Sequence, residues 1–276
     1  MRFCKMHGTG NDYIFINCMQ QTIINPSQTA VMLSDRHFGV GGDGLVLILK
    51  SDKADARMKI YNADGSEGRI CGNAIRCVGK YLYDQDIIKK TNLSVETASG
   101  IRQLQLIVSD GLVSEATVDM GEPVFSPNDI PMFSAGNNFI NQPIAIWGRT
   151  MYATALSMGN PHWVFRVKDV DSINLEATGP LFEHHKLFPD RVNTEFVAVE
   201  QNAIHMRVWE RGSGETLSCG SGACAAAVAC CLNGWCPRSV DVFLRGGTLH
   251  VDWAEQNNHV FLTGDAQHVY SGEIFI

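Results

Sequence analysis

Cys219-Gly-Ser-Gly-Ala-Cys-Ala-Ala-Ala-Val-Ala-Cys-Cys-Leu232 is the stretch on which the fold turns. Its composition predicts a helix over residues 221–232, closed by Gly234 as the stop. That helix is apolar nearly all round, and a helix without a polar face has to be buried on every side. Alanine and glycine make it thin, so strands can pass close to its backbone. The expectation is a sheet curled around this helix.

A second segment has the same layout. Cys71-Gly-Asn73 opens a predicted helix over Asn73–Tyr83, with Ala74, Val78, Tyr81 and Leu82 on one stripe, as Cys219-Gly-Ser221 opens the first. Cys71 and Cys219 are 148 residues apart, with Glu67 and Glu215 each four residues earlier. Gly10-Asn11 is answered by Gly159-Asn160 at 149, Gly100 by Gly247 at 147, and Gly121 by Gly264 at 143. Landmarks recurring in order with slow drift indicate a duplication into two units far longer than a solenoid repeat.

Between these landmarks the chain reads mainly as short strands, alternating or β-branched and bounded by Gly, Asp or Asn, such as Tyr13–Asn17, Arg57–Asn62, Ile144–Trp147 and Asn193–Val199. One further helix is expected over Ser27–His37. The fold class is therefore α+β, in two pseudo-symmetric halves, each a curled, mostly antiparallel sheet or barrel around a central helix. The expected domains are 1–120, completed by 265–276 and carrying Cys71, and 121–264, carrying Cys219.

Composition excludes several functions. Apolar content of 45% with 18% charged residues is that of a globular chain, not a disordered one. A net charge of −7 gives no reason to expect nucleic acid, which calls for a basic surface. No run approaches the ~18 apolar residues of a membrane span, and Met1-Arg-Phe-Cys-Lys-Met-His-Gly has no apolar signal core. A cytoplasmic protein is expected. Nine cysteines, an odd number without any Cys-x-x-Cys, argue against a disulfide framework and against zinc-ribbon or thioredoxin motifs. Cys4, Cys18, Cys77, Cys224, Cys230, Cys231 and Cys236 read as small buried hydrophobes.

Cys71 and Cys219 would read the same way singly; their twofold placement sets them apart. At a helix start, the dipole and unpaired N–H groups favour a thiolate. The N–H groups of Gly72-Asn73 and Gly220-Ser221 suit a substrate carboxylate and the enolate-like charge that follows loss of an α-proton. Two thiols, one ionised and one protonated, supply a base for one face of a carbon and an acid for the other. That pairing inverts a stereocentre. Gly39-Val-Gly-Gly-Asp-Gly44 has the dinucleotide spacing, yet an apolar strand follows where a helix is required, so a tight turn is the better account. His184-His185 reads as a solvated loop and no metal site is expected.

With those residues in view, the chain resembles the diaminopimelate epimerase family. The resemblance rests on Lys5-Met-His-Gly-Thr-Gly-Asn-Asp, Asp35-Arg-His-Phe-Gly-Val-Gly-Gly-Asp, Tyr61-Asn-Ala-Asp-Gly-Ser, Cys71-Gly-Asn-Ala-Ile-Arg-Cys, Met158-Gly-Asn-Pro-His, Arg191-Val-Asn, Glu210-Arg-Gly-Ser-Gly-Glu-Thr, Cys219-Gly-Ser-Gly-Ala-Cys and Gly264-Asp-Ala-Gln-His-Val-Tyr. It implies a cofactor-independent epimerase, without pyridoxal phosphate, converting LL- to meso-diaminopimelate for lysine and peptidoglycan precursors. It implies catalysis by Cys71 and Cys219, and substrate contacts from Asn11, Asn62, Gly72, Asn73, Asn160, Asn193, Glu210, Arg211, Gly220 and Ser221. His162 and Glu210 would tune the thiols, and Tyr270 would lie at the interface of a homodimer. Some members carry a glutamine that contacts substrate at the position of Gly44, which is therefore left out of the site.

Two alternatives stay open at this level. Another cofactor-free racemase or phenazine-pathway-like isomerase would share the fold but would not need head-group recognition at both ends of its substrate. A thiol redox sensor would bond the two cysteines reversibly.

Overall fold

The computed structural model describes residues 1–68, 71–146 and 148–275. It divides into two compact units, Met1–Asp119 with Thr263–Ile276, and Met120–Leu262. The first contains β1 (Arg2–Gly8), β2 (Asn11–Asn17), α1 (Pro26–Ser34), β3 (Gly44–Leu49), β4 (Ala56–Asn62), β5 (Glu67–Gly68), α2 (Gly72–Asp84), β6 (Asn92–Thr97), β7 (Gly100–Ser109) and most of β8 (Leu112–Gly121). The second contains β9 (Phe139–Ile146), β10 (Arg149–Ser157), β11 (Pro161–Arg166), α3 (Leu175–Glu183), β12 (Asn193–Glu200), β13 (Ala203–Glu210), β14 (Gly214–Thr216), α4 (Gly220–Leu232), β15 (Ser239–Leu244) and β16 (Gly247–Trp253). β17 (Val260–Asp265) leads back into the first unit, where β18 (Gln267–Glu273) ends the regular structure. Of the strand expected over 144–147, Trp147 lies outside the described residues.

The repeat in the sequence is a repeat of pairings. In the first unit β2 runs parallel to β3, aligning Tyr13 with Gly44; in the second β11 runs parallel to β12, aligning His162 with Asn193, 149 residues later for both partners. β3–β4–β5 and β12–β13–β14 are antiparallel runs. β4 then takes β6 as a parallel neighbour, as β13 takes β15. One difference is the strand beside β1. There β18, from the far end of the chain, pairs Cys4 with Ser271, whereas the corresponding β10 is paired by β9, directly before it in sequence.

α4 is buried along almost its whole length and packs on β10, β11, β12, β13, β15 and β16. Its alanines let six strands approach one helix, so the expected curled sheet is present. α2 is nearly as buried but carries charge, which burial tolerates only where the charge is bonded. Arg76, fully enclosed, donates to the Asp265 carbonyl at 3.0 Å, the Gly72 carbonyl at 3.2 Å and Thr9 Oγ1 at 2.9 Å. Lys80 donates to the Val113 carbonyl at 2.5 Å and pairs with Asp84 at 2.7 Å. Thus α2 is tied to its sheet by polar bonds where α4 relies on close packing.

The two cores also differ in material. In the first unit Ile14, Ile16, Leu33, Leu45 and Leu47 pack with Tyr61. The second is aromatic: Trp163 lies 4.7 Å from Phe165 and 5.0 Å from Phe188, and Phe165 stacks on Phe196 at 5.8 Å. Each such ring pair adds about 0.5–1.5 kcal/mol beyond the area it buries. His185 joins this group, half-buried with its ring 5.1 Å from Trp163, while His184 is exposed at the end of α3. The expected solvated loop therefore describes His184 and not His185.

Candidate active site

Each thiol caps its helix. Cys71 has extended backbone at φ −139°, ψ 117°, and its Sγ accepts from the Ala74 N–H at 3.4 Å. Cys219 matches it at φ −124°, ψ 111°, accepting from the Gly222 N–H at 3.4 Å. A cap residue sits just outside the helix, where first-turn N–H groups lack carbonyl partners, so its side chain takes one of them. Gly72 and Asn73, like Gly220 and Ser221, are the first two residues of those turns. The local backbone chemistry of the two thiols is the same.

The side chains around them are not. In the first unit the Cys71 thiol donates to Asn11 Oδ1 at 3.3 Å, and Asn73 Nδ2 donates to that same oxygen at 3.3 Å. Asn11 Nδ2 donates to Asp43 Oδ2 at 2.7 Å, which fixes which end of the amide faces the sulfur. Burial and the neighbouring Asp12 push the Asp43 carboxyl up. Burial opposes charge on Asp12 as well, but hydrogen bonds from Arg36 and Lys5 hold it below the usual range. Asn62, exposed at the end of β4, donates through Nδ2 to Ser66 Oγ at 2.9 Å.

In the second unit Cys219 is buried among carboxyl groups. Its thiol is pushed well above the ordinary value by burial, then by Glu210 and Glu195; Ser221 and the Gly222 N–H pull the other way and lose. The helix-start preference for thiolate expected from sequence is therefore overridden here, because the carboxylates and low polarity outweigh one turn of helix. Glu210 is itself raised by burial, and its Oε1 accepts from Thr216 Oγ1 at 2.5 Å. His162 is completely enclosed, with Nδ1 2.7 Å from Glu195 Oε1 and Nε2 3.0 Å from Asn160 Oδ1.

Asn193 uses both ends of its amide on backbone, donating to the Pro161 carbonyl at 2.9 Å and accepting from the Arg211 N–H at 2.9 Å. It locks β11 to the turn that carries Arg211. The Arg211 guanidinium, half-buried, donates to the Asp190 carbonyl at 3.0 Å. Tyr270 lies on the outer part of β18, edge-on to Phe3 with ring centroids 5.8 Å apart, and donates to the Val40 carbonyl at 3.4 Å. At Gly44 a Cβ would collide with the Tyr61 carbonyl oxygen and stand 3.0 Å from the Tyr13 ring. With that backbone no side chain fits there.

Two polar residues near the thiols escaped the sequence reading, Asp43 and Glu195. Asp43 sits in a glycine-rich loop and looks like turn chemistry. Glu195 carried a signal, since it is the one charged residue in the stretch Asn193-Thr-Glu-Phe-Val-Ala-Val199, which ends apolar and where a lone carboxylate needs a partner. Among the described residues no group of three His, Cys, Asp or Glu could hold a metal ion.

The sequence profile of the diaminopimelate epimerase family matches residues 3–126 and 154–269. A diaminopimelate epimerase of Acetivibrio thermocellus is 53% identical over 275 residues, covering 99% of this chain and 98% of that protein. A crystal structure of the Bacillus anthracis phenazine biosynthesis protein of the PhzF family superposes with a TM-score of 0.72 at 16% identity, over 100% of this chain and 99% of that one. A hydroxyproline epimerase from Agrobacterium vitis superposes at 0.70 and 16% identity, over 99% of this chain and 90% of that one. At that identity the structures speak for the fold alone.

Proposed function

The chain belongs to the diaminopimelate epimerase family, and from that premise we propose that Cys71 and Cys219 are the acid–base pair that interconverts LL- and meso-diaminopimelate without a cofactor. The carrying observation is a pair of thiols placed identically as helix caps in a duplicated fold and surrounded unequally. Epimerisation removes a proton from one face of the α-carbon and delivers one to the other. A single base would return the proton to the side it came from.

Cys219, kept as a thiol by burial and then by its carboxylate neighbours, supplies the proton in the direction where Cys71 removes one. In the reverse direction the roles exchange. Carbanion formation places charge on the substrate carboxylate, and the first-turn N–H groups of Gly72, Asn73, Gly220 and Ser221 are the donors for it. Each such donor is typically worth about 2.7–4 kcal/mol to the transition state. Asn11 and Asn160 contact the reacting end. Asn62, Asn193, Glu210 and Arg211 serve head-group recognition; Asn193 keeps one N–H and one lone pair for it beyond its backbone bonds.

The same reading places Tyr270 at the interface of a homodimer, supported by the exposed apolar pair Val269 and Tyr270 on β18. Sedimentation of Tyr270→Ala against the native chain tests it: the variant should shift toward monomer. A cytoplasmic location is supported by nine free cysteines, which persist in a reducing compartment. Among the described residues no helix is long and apolar enough to cross a membrane.

Incubation with LL-diaminopimelate in deuterated buffer, without added cofactor, should yield meso product carrying deuterium at the inverted carbon. Cys71→Ala and Cys219→Ala should fold and lose epimerisation by orders of magnitude. Absence of solvent exchange in the native chain, or full activity in either variant, would discard the two-base scheme.

A further inference from the structure

We propose that Glu195 is a positioning residue for the epimerisation, acting through His162 to fix the direction in which the Asn160 amide faces. The proposal rests on the reading of Asn160 as a substrate contact given above. Its basis is a three-member relay of a carboxyl, an imidazole and an amide, with the first two completely enclosed.

The proton positions follow from the partners. With the Asn160 amide placed this way its Oδ1 accepts, and His162 Nε2 is the donor at 3.0 Å. Nδ1 and Glu195 Oε1, 2.7 Å apart, then share a single proton. Whichever atom holds it, the pair is neutral overall, the arrangement a site without water tolerates. With its oxygen committed to the ring, Asn160 is left with its Nδ2 hydrogens for a ligand. The amide therefore presents a donor, the polarity a carboxylate or a developing carbanion requires.

While the buried pair holds its shared proton, Glu195 prevents the relay from reversing, since Nδ1 is then engaged with the carboxyl and the ring's other hydrogen sits on Nε2. Given an apolar residue at 195, the imidazole can carry its hydrogen on Nδ1. Nε2 would then accept from Asn160 Nδ2, the amide would turn over, and an oxygen would face the substrate. The other groups around the carboxyl do not supply this restraint. Glu195 raises Glu210 and Cys219 through its charge, while on Glu195 itself the Trp163 N–H adds a weaker pull toward the carboxylate than His162 does. Gly222 leaves it room, since a Cβ on that residue would come within 2.8 Å of Glu195 Oε1. Among the described residues Glu195 Oε2 has no hydrogen-bond partner, and Oε1 makes the 2.7 Å contact to the ring.

The test pairs ring spectroscopy with a mutant cycle. The 15N shifts of His162, read without substrate, should show a protonated Nε2 in the native chain, and Glu195→Leu should change them. Glu195→Leu should lose about 10–100-fold in kcat/KM, by analogy with the range for carboxylates that orient metal-ligating histidines. Glu195→Gln, isosteric and able to donate to Nδ1, should fold and lose less. Glu195→Leu/His162→Leu should lose no more than the worse single variant, because both act along one route. Losses that multiply in the double variant, or native turnover with an unchanged ring spectrum in Glu195→Leu, would overturn the proposal. Should the native chain fail to epimerise diaminopimelate, the functional reading falls, and the ring spectrum still decides the tie between Glu195 and His162.

Discussion

Gly222→Ala and Gly79→Ala form a matched pair of perturbations that should part company. Both glycines lie inside a central helix, and at both an added Cβ would meet its nearest neighbour at 2.8 Å. Replacing a helix-interior glycine by alanine is worth up to ~1 kcal/mol of helix propensity. What differs is the neighbour. At Gly79 it is Leu106 Cδ2, with Leu104 Cδ2 at 3.0 Å, both ends of flexible side chains that can rotate aside for about 0.5–1.5 kcal/mol. At Gly222 it is Glu195 Oε1, pinned by His162, with Cys219 Cβ and Sγ both at 3.3 Å. Reaching an ordinary contact of 3.4 Å demands a shift of roughly 0.6 Å in the carboxyl or the helix start, and such overpacking costs about 1–3 kcal/mol. Gly79→Ala should therefore change stability by under about 1 kcal/mol and keep full activity. Gly222→Ala should lose about 0–2 kcal/mol and, by displacing Cys219 and His162, roughly 10–100-fold in kcat/KM. Urea unfolding and steady-state epimerisation on the same preparations read both quantities. Equal stability and equal activity in the two variants would show that Glu195 is free to yield, contrary to the geometry.

Arg76→Met leaves the Asp265 and Gly72 carbonyls and Thr9 without their buried donor, so stability should fall by roughly 2–4 kcal/mol, read by urea unfolding. A change within about 0.5 kcal/mol would mean that these bonds contribute nothing beyond their solvation. Burial pushes the Cys77 thiol up to about 12 from 9.0, so the unfolded chain gives up this proton first and stability falls as pH rises above about 9. By pH 10 the loss from Cys77 alone is about 1.4 kcal/mol, and Cys77→Ala should show a correspondingly shallower decline between pH 8 and pH 10. Parallel pH curves for the two proteins would place the thiol near its ordinary value.

The parts of the fold legible in the sequence were those where one property dominated. The all-apolar run of α4 admits only a buried helix, and the paired cysteine openings mark the duplication because each cap has a definite local geometry. α3 was not read as a helix because Gly179 and Pro180 stand inside it. Its reason is tertiary: a Cβ on Gly179 would run into the Trp209 ring, so the glycine is there to let the helix dock, and docking outweighs poor propensity. The site divides the same way. Cap residues announce themselves locally, whereas the tie from Asp43 to Asn11 spans 32 residues and that from Glu195 to His162 spans 33, and neither pairing has a sequence spacing that predicts it.

Were Cys71 and Cys219 to act as an acid–base pair, duplication would pose a chemical problem, and the side chains around the two sulfurs differ in the way that would answer it. Two copies of one cap would hold two thiols of equal proton affinity, yet inversion needs one ionised while the other keeps its proton. The backbone cannot make the difference, since both sulfurs accept one first-turn N–H at 3.4 Å from residues of nearly the same φ and ψ. The copies diverge one layer out. The Cys71 thiol meets a neutral amide oxygen held by Asp43, while Cys219 meets the carboxyl groups of Glu210 and Glu195. The aligned positions Gly44 and Asn193 show the same division, one too crowded for a side chain and the other stitching the His162 strand to the turn that bears Arg211. On this reasoning, exchanging Glu210 for glutamine should lower the proton affinity of Cys219 without moving its helix, and the basic limb of the pH–rate profile is where that change would register.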